Sequence, residues 1–326
     1  MPDAQRGLVA AWYRADWWLW LLRPLELLFR GLAVVRRQCY RWGLFTRYDS
    51  PIPVVIVGNI TVGGTGKTAV VIALVEALQG MGVRAGVVSR GYGATGSHYP
   101  YTVTEASTVD ECGDEPLLIY RRTRCPCVVD PARATAVATL VESFDVDVVI
   151  SDDGLQHYAL ARSMEIVVLD AERGVGNGFC LPAGPLREPA SRLRSVDYVL
   201  HRGGDDPITG VLYQPDGLVN IRSGERRSAC PESVGNRVNA VAGIGQPMQF
   251  FESLRLLGFE IEQHEFPDHH DFSPADLSGL PDGPIIMTEK DAVKCTEWAG
   301  DNAWYLSINA QVPNAVIQAV AALARN

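Results

Sequence analysis

This sequence has no long uncharged apolar run in the region where one would be looked for. Its first 50 residues hold five of the seven tryptophans, yet Trp17–Leu22 is only six residues long, and Arg23, Glu26 and Arg30 interrupt the apolar residues after it. A spanning helix needs about 20 apolar residues, so a transmembrane helix is not expected. No small-residue cleavage site comes after a clean apolar core, which argues against a signal peptide. Low-complexity segments and internal repeats are missing too, and charged residues are 21%, so disorder is not expected. The seven cysteines are scattered, and the close pair Cys125-Pro-Cys127 lacks zinc or redox spacing. They read as reduced thiols of a cytosolic compartment. Excess positive charge is lacking: the net charge of −9 argues against general nucleic-acid binding.

The charge that is present is unevenly placed. Residues 1–50 carry eight Arg against four Asp and Glu, while the remainder holds 21 basic and 34 acidic residues. Asp16, Arg23, Glu26, Arg30, Arg37 and Arg41 recur at helical intervals and form one polar stripe. Trp17, Leu21, Leu25, Leu28, Leu32 and Val35 line another face, and Pro24 either kinks the helix or starts a second one. Arg and Trp on an amphipathic helix suit a membrane interface. The same pattern would also serve a helix packed on the protein's own core.

Beyond residue 50 strands and helices alternate. Strands are expected at Val54–Val57, Gly86–Ser89, Val146–Ser151, Ile166–Asp170 and Tyr198–His201, with helices at Lys67–Leu78 and Ala132–Phe144. Such alternation implies a mostly parallel sheet covered by helices. The Gly/Asp/Pro-rich stretch at 203–217 suggests a domain joint near 205–230. A second α/β run extends from Val238 to an amphipathic last helix at Pro313–Ala324. The expected organisation is an N-terminal amphipathic segment (1–48), a P-loop domain (49–210) and a smaller α/β domain (211–326) whose last helix can pack back on the first.

Gly58–Thr68 reads GNITVGGTGKT, between an apolar strand and a helix. Gly63, Gly64 and Gly66 let backbone N–H groups turn toward an anion, and Thr65 completes the loop. Lys67 would reach the β- and γ-phosphates of ATP, and the Thr68 hydroxyl would ligate Mg²⁺. Thr61 stands where the usual pattern has its first glycine; the GGxGKT form of partition ATPases and dethiobiotin synthetases tolerates this. Many of those proteins carry a lysine where this chain has Val62, so dimer-activated ATPase action is disfavoured. The strand ending Val148–Asp153 delivers two carboxylates, Asp152 and Asp153, to the sheet edge that carries the P-loop, either of which could face the metal.

Together with other short stretches, this loop resembles that of the tetraacyldisaccharide 4′-kinase (lipid A 4′-kinase) family. The matching stretches are GNITVGGTGKT (58–68), SRGYG (89–93), GDEP (113–116), DDGLQH (152–157), LPAGPLREP (181–189), AGIGQP (242–247), FPDHHDF (266–272) and TEKDAVK (288–294). They occur in the family's order. The resemblance implies a P-loop kinase that uses ATP and Mg²⁺ to phosphorylate the 4′-hydroxyl of a tetraacyl glucosamine disaccharide 1-phosphate, giving lipid IVA. It also implies a peripheral enzyme at the cytoplasmic face of the bacterial inner membrane, held to the anionic surface by its N-terminal segment.

Asp114 resembles the family's catalytic aspartate and His269 its histidine partner, with the adjacent His270 the less well matched imidazole. A His–Asp pair would orient the carboxylate and tune its ionisation. Arg187 and Glu188 resemble active-site residues, Arg187 as a phosphate contact. Because Lys67 and Asp114 lie in the first half and His269 in the second, the site is expected to form only when the two domains close. Two other readings stay open: a soluble small-molecule P-loop ligase or kinase of the dethiobiotin-synthetase type, and a membrane-associated nucleotide switch. A guanine switch would want N/T-K-x-D, and Thr288-Glu289-Lys290-Asp291 has its lysine one place late.

Overall fold

The computed structural model describes residues 3–96 and 98–325. Among them thirteen strands join into one continuous sheet. Its first part is parallel, with Val54–Gly58 flanked by Met164–Asp170 on one side and Val148–Asp152 on the other. Ala85–Ser89 and Cys127–Val129 extend it beyond Val148–Asp152, and Tyr198–Arg202 extends it beyond Met164–Asp170. The strands are runs of Val and Ile buried on both faces, as a parallel sheet covered by helices requires.

The helix Lys67–Gly80 is apolar around nearly its whole circumference. Val70, Val71, Ile72, Leu74, Val75 and Leu78 are all buried. It can be so because it is covered twice. The sheet lies on one side, and the last helix, Asn314–Ala324, buries Val316, Val320 and Ala321 in the same cluster. The chain's end therefore packs on the first lobe.

The expected joint near 205–230 is not a linker. Gly210–Asn220 is an eleven-residue strand belonging to both lobes. Its start pairs parallel with Tyr198–Arg202, and its remainder pairs antiparallel with Ala303–Gln311. Beyond that come the parallel strands Ile285–Thr288, Arg237–Ala242 and Glu260–Glu265. Pro215-Asp216-Gly217 reads as a turn but lies at a register shift opposite Ser307 and Ile308, where Gly217 has φ +127. A bulge tolerates proline and glycine inside a strand.

The N-terminal segment is two α-helices, Asp3–Arg14 and Arg23–Arg41, joined by a 3₁₀ turn at Trp17–Leu22. Pro24 sits in the first turn of the second helix, where its missing N–H costs nothing. Part of the polar stripe, Arg23, Glu26 and Arg37, faces the body, while Arg30 and Arg41 stay exposed. Glu26 is 1% exposed; it accepts from Arg23 (2.8 Å) and from the Cys180 N–H (3.2 Å). Arg37 donates to Ser195 Oγ at 2.9 Å, and the Arg23 guanidinium lies over the Phe179 ring. Trp12 and Leu19 are buried against the body. The opposite face, with Trp17, Leu21, Leu25, Leu28, Leu32 and Val35, lies open to solvent. None of the described helices is long and apolar enough to cross a membrane.

Candidate active site

The glycine loop leaves the C-terminal end of Val54–Gly58 and opens Lys67–Gly80, with Thr68 the second residue of that helix. Gly63 and Gly66 have φ of +104 and +78. A side chain at Gly66 would be strained there and would also meet the Tyr213 hydroxyl at 2.7 Å. Nothing lies within 4 Å of where a side chain at Gly63 or Gly64 would start, so the loop's rim is open. Its shape is held from below. Asn59 Nδ2 donates to Thr65 Oγ1 at 3.1 Å, Gln156 donates to the Asn59 carbonyl at 3.1 Å, and the Tyr213 hydroxyl donates to the Gly66 carbonyl at 2.9 Å.

The two strand-end carboxylates have different surroundings. Asp153 lies 3.5 Å from Lys67 Nζ and takes both guanidinium arms of Arg187, at 3.1 and 3.2 Å. Burial works against its ionisation, but these cations outweigh it and hold its pKa well below the usual range. Asp152 pairs in register with Val57, one residue before the loop. It is fully buried, and neither carboxylate oxygen has a hydrogen-bond partner. Burial pushes its pKa up, and the charges of Glu115 and Asp153 add to the rise. A buried, unpartnered carboxylate is costly alone and suited to a cation.

Asp114 begins the helix Asp114–Thr123, which turns off Gly113 at φ +89. A side chain at Gly113 would press on the Tyr92 carbonyl at 2.8 Å, so the GDEP turn requires glycine. Across the cleft, His269 Nδ1 lies 3.0 Å from Asp114 Oδ2. Lys290 and Lys294 Nζ lie 3.8 and 3.5 Å from the same oxygen. Burial alone would raise the Asp114 pKa; the His269 hydrogen bond and the two lysines reverse this and bring it down to about 2. His270 turns the other way, between Phe266 and Phe272 and 3.4 Å from Asp276.

The lobes already meet here, so the expectation that the site forms only on closure is not what the structure shows. Gln246 Nε2 donates to the Gly64 carbonyl at 2.8 Å. A side chain at Gly245 would touch both Gly64 N and Asp268, at 3.2 and 3.3 Å, which puts the His269 loop beside the P-loop.

Glu188 differs from its neighbour Arg187. It is 5% exposed and faces inward, accepting from Tyr158 and from Gln156 Nε2 at 2.9 Å, with Arg192 at 3.4 Å. Its link to the loop runs through Gln156 and Asn59, so it braces the P-loop from behind. Lys290, Lys294, Gln246 and Tyr213 are the site's neighbours that sequence reasoning missed. The first two were signalled by the spacing of four in TEKDAVK, which puts both on one side of a helical turn. Thr288 caps that turn and Asp291 is buried against the Gly243 N–H, which is a structural use of the misplaced T-x-K-D.

A strand, glycine loop and helix in a parallel sheet, with a carboxylate at the adjoining strand end, define a P-loop nucleotide-dependent phosphotransferase. The chain belongs to the tetraacyldisaccharide-1-P 4′-kinase family, which it matches over residues 18–325. It is 50% identical to a tetraacyldisaccharide 4′-kinase of Pseudomonas putida over 93% of this chain and 92% of that one. With its namesake in Pseudomonas aeruginosa it shares 49% identity over 93% and 92%. The crystal structure of LpxK from Aquifex aeolicus in complex with ATP has a TM-score of 0.78 to it. That match has 26% identity and covers 94% of this chain and 99% of that one.

Proposed function

We propose that this protein transfers the γ-phosphoryl group of ATP to the 4′-hydroxyl of a tetraacyl disaccharide 1-phosphate, with Asp114 orienting the hydroxyl. The observation that carries this reading is the Asp114–His269 contact of 3.0 Å beside the P-loop. The hydroxyl oxygen forms the new bond to Pγ while the bond from Pγ to the bridging oxygen breaks and ADP leaves. The hydroxyl proton passes to Asp114. A carboxylate with so low a pKa is a weak base, so the proton moves late, once O–P bonding has acidified the hydroxyl. Lys67 balances negative charge on the transferred group, and Arg187 is poised to do the same from Asp153.

Thr68 and Asp152 are the residues that would hold Mg²⁺, with Asp153 beside them. A nucleotide-bound Mg²⁺ takes one or two protein ligands and completes its shell with phosphate and water. Among the described residues no three His, Cys, Asp or Glu side chains converge into a cage, which is compatible with that mode. When bound, the ion neutralises charge on the phosphates. The test of the activity is label transfer from γ-labelled ATP to tetraacyl disaccharide 1-phosphate. Transfer to a small soluble acceptor alone, undiminished by removing residues 1–45, would favour the ligase-type alternative.

Asp152 gives a stability test. An acid whose folded pKa is raised binds more protons folded than unfolded, so it loses stability as pH rises through that window. Asp152→Asn without Mg²⁺ is therefore expected to melt above the native protein at pH 8, by about 1–2 °C per kcal/mol relieved in a chain of this length. The gain should vanish near pH 4, and Mg²⁺ with ATP should raise the native melting temperature more than the variant's. A variant that melts no higher at pH 8 would show that Asp152 is already compensated.

The N-terminal segment is our candidate for the membrane contact. Leaving six large apolar side chains in water forgoes roughly 1.5–3 kcal/mol each relative to burial, which favours a face kept for an apolar partner. Arg30, Arg36 and Arg41 are exposed on the same helix, and near an anionic surface each contributes about 1 kcal/mol. The apolar contribution is the larger. Sedimentation with vesicles of anionic phospholipid should therefore weaken in high salt without vanishing. Full release by salt alone would count against insertion of the Trp/Leu face.

A further inference from the structure

His269 is engaged at both ring nitrogens. Nδ1 faces Asp114 Oδ2 at 3.0 Å, and Nε2 faces the Lys290 ammonium at 3.3 Å. An ammonium has three donors and no acceptor. The hydrogen bond from Lys290 to Nε2 can therefore form only if Nε2 accepts, which leaves Nδ1 to carry the proton and donate to Asp114.

The other groups around the ring agree with this assignment. Asp268 Oδ1 is 3.9 Å from Nε2, too far to claim a proton from it. The Tyr92 ring lies 4.8 Å away, centroid to centroid, and covers one face. Lys294 sits on Asp114 at 3.5 Å, and Glu115 holds Lys290 from the far side at 3.0 Å. Burial works against the Lys290 charge, but Glu115, Asp114 and Asp268 outweigh it and keep the ammonium. The ring's placement is also fixed by its backbone. His269 has φ +59, an uncommon conformation for a non-glycine residue, and its N–H donates to the Gly243 carbonyl at 3.1 Å.

We infer that Lys290 is a positioning residue that holds His269 as the neutral Nδ1–H tautomer, so that Asp114 is both aimed and kept ionised. Lys290 reaches the ring from the turn after Ile285–Thr288, so the second lobe supplies both the imidazole and the charge that orients its proton. The inference rests on reading Asp114–His269 as the pair that handles the acceptor hydroxyl. A cation beside Asp114 favours its unprotonated form, so removing it should move Asp114 toward protonation at higher pH.

The test uses the full chain with ¹⁵N-labelled histidine, comparing the native protein with Lys290→Met and Lys290→Arg. Nitrogen chemical shifts at pH 8 report the tautomer without any need for turnover. The native His269 should show a protonated Nδ1, and Lys290→Met should show a mixture. In the label-transfer assay at pH 8 Lys290→Met should lower kcat by about ten- to a hundredfold, less than losing a positioned acid–base group outright. The KM for ATP should stay within about twofold, since the P-loop is untouched. Lys290→Arg, which keeps the charge, should restore most of the native kcat and the native tautomer. A native His269 protonated on Nε2 would overturn the inference, and this result stands even if Lys290→Met does not fold. An unchanged tautomer in Lys290→Met, with activity simply reduced, would also overturn it and leave only the ion pair with Glu115. Failure of label transfer in the native protein would refute the activity while leaving the tautomer result to decide the role of Lys290.

Discussion

Lys67→Ala is expected to lower kcat for phosphoryl transfer by about a hundred- to a thousandfold, the scale of losing one preorganised charge donor. The fold should survive. Lys67 opens the helix Lys67–Gly80, and its partner Asp153 keeps both arms of Arg187 when the ammonium is gone. The loop shape itself rests on Asn59, Gln156 and Tyr213 rather than on Lys67. The measurement is single-turnover label transfer, together with a thermal melt. Near-native turnover would end the P-loop reading. A collapsed melting temperature would instead mean that Lys67 holds the loop together.

Asp114→Ala and His269→Ala should each lower kcat by about 10²–10⁴, the usual range for a positioned acid–base group. Each should do so with little change in the KM for ATP, because neither belongs to the loop that holds the nucleotide. Their 3.0 Å contact makes them one unit, so the double variant should be little worse than the poorer single one. His270→Ala should be mild, since its ring packs between Phe266 and Phe272 and meets Asp276 rather than Asp114. Additive losses would indicate two separate roles. A rise in the KM for ATP alone would move Asp114 to the nucleotide.

These residues were legible in the sequence to different degrees, for physical reasons. The P-loop shows itself because strand, glycines and lysine are contiguous and each residue type is required by backbone geometry. Asp114 and His269 stand 155 positions apart, and no local rule joins them; the family resemblance did. Asp152 and Asp153 are chemically identical in one dimension. What separates them is burial: one oxygen pair has no partner and the other has two cations. The LREP resemblance joins Arg187 and Glu188 as site residues; in the fold Arg187 reaches Asp153, while Glu188 faces Tyr158 and Gln156 behind the loop. The helix Asp114–Thr123 was missed because Asp-Glu-Pro reads as a loop, although these residues suit a helix's first turn. The strand Gly210–Asn220 was missed because its proline and glycine sit at a bulge that only its partner reveals.

That strand has a mechanical consequence. Two lobes tied by a flexible linker swing apart freely and must find their relative pose anew each time. Here the tie is a ribbon bonded along an edge to each lobe, so parting the lobes has to bend or twist the sheet itself. The connection resists deformation like a leaf spring: the further the cleft opens, the greater the restoring force toward the arrangement seen here.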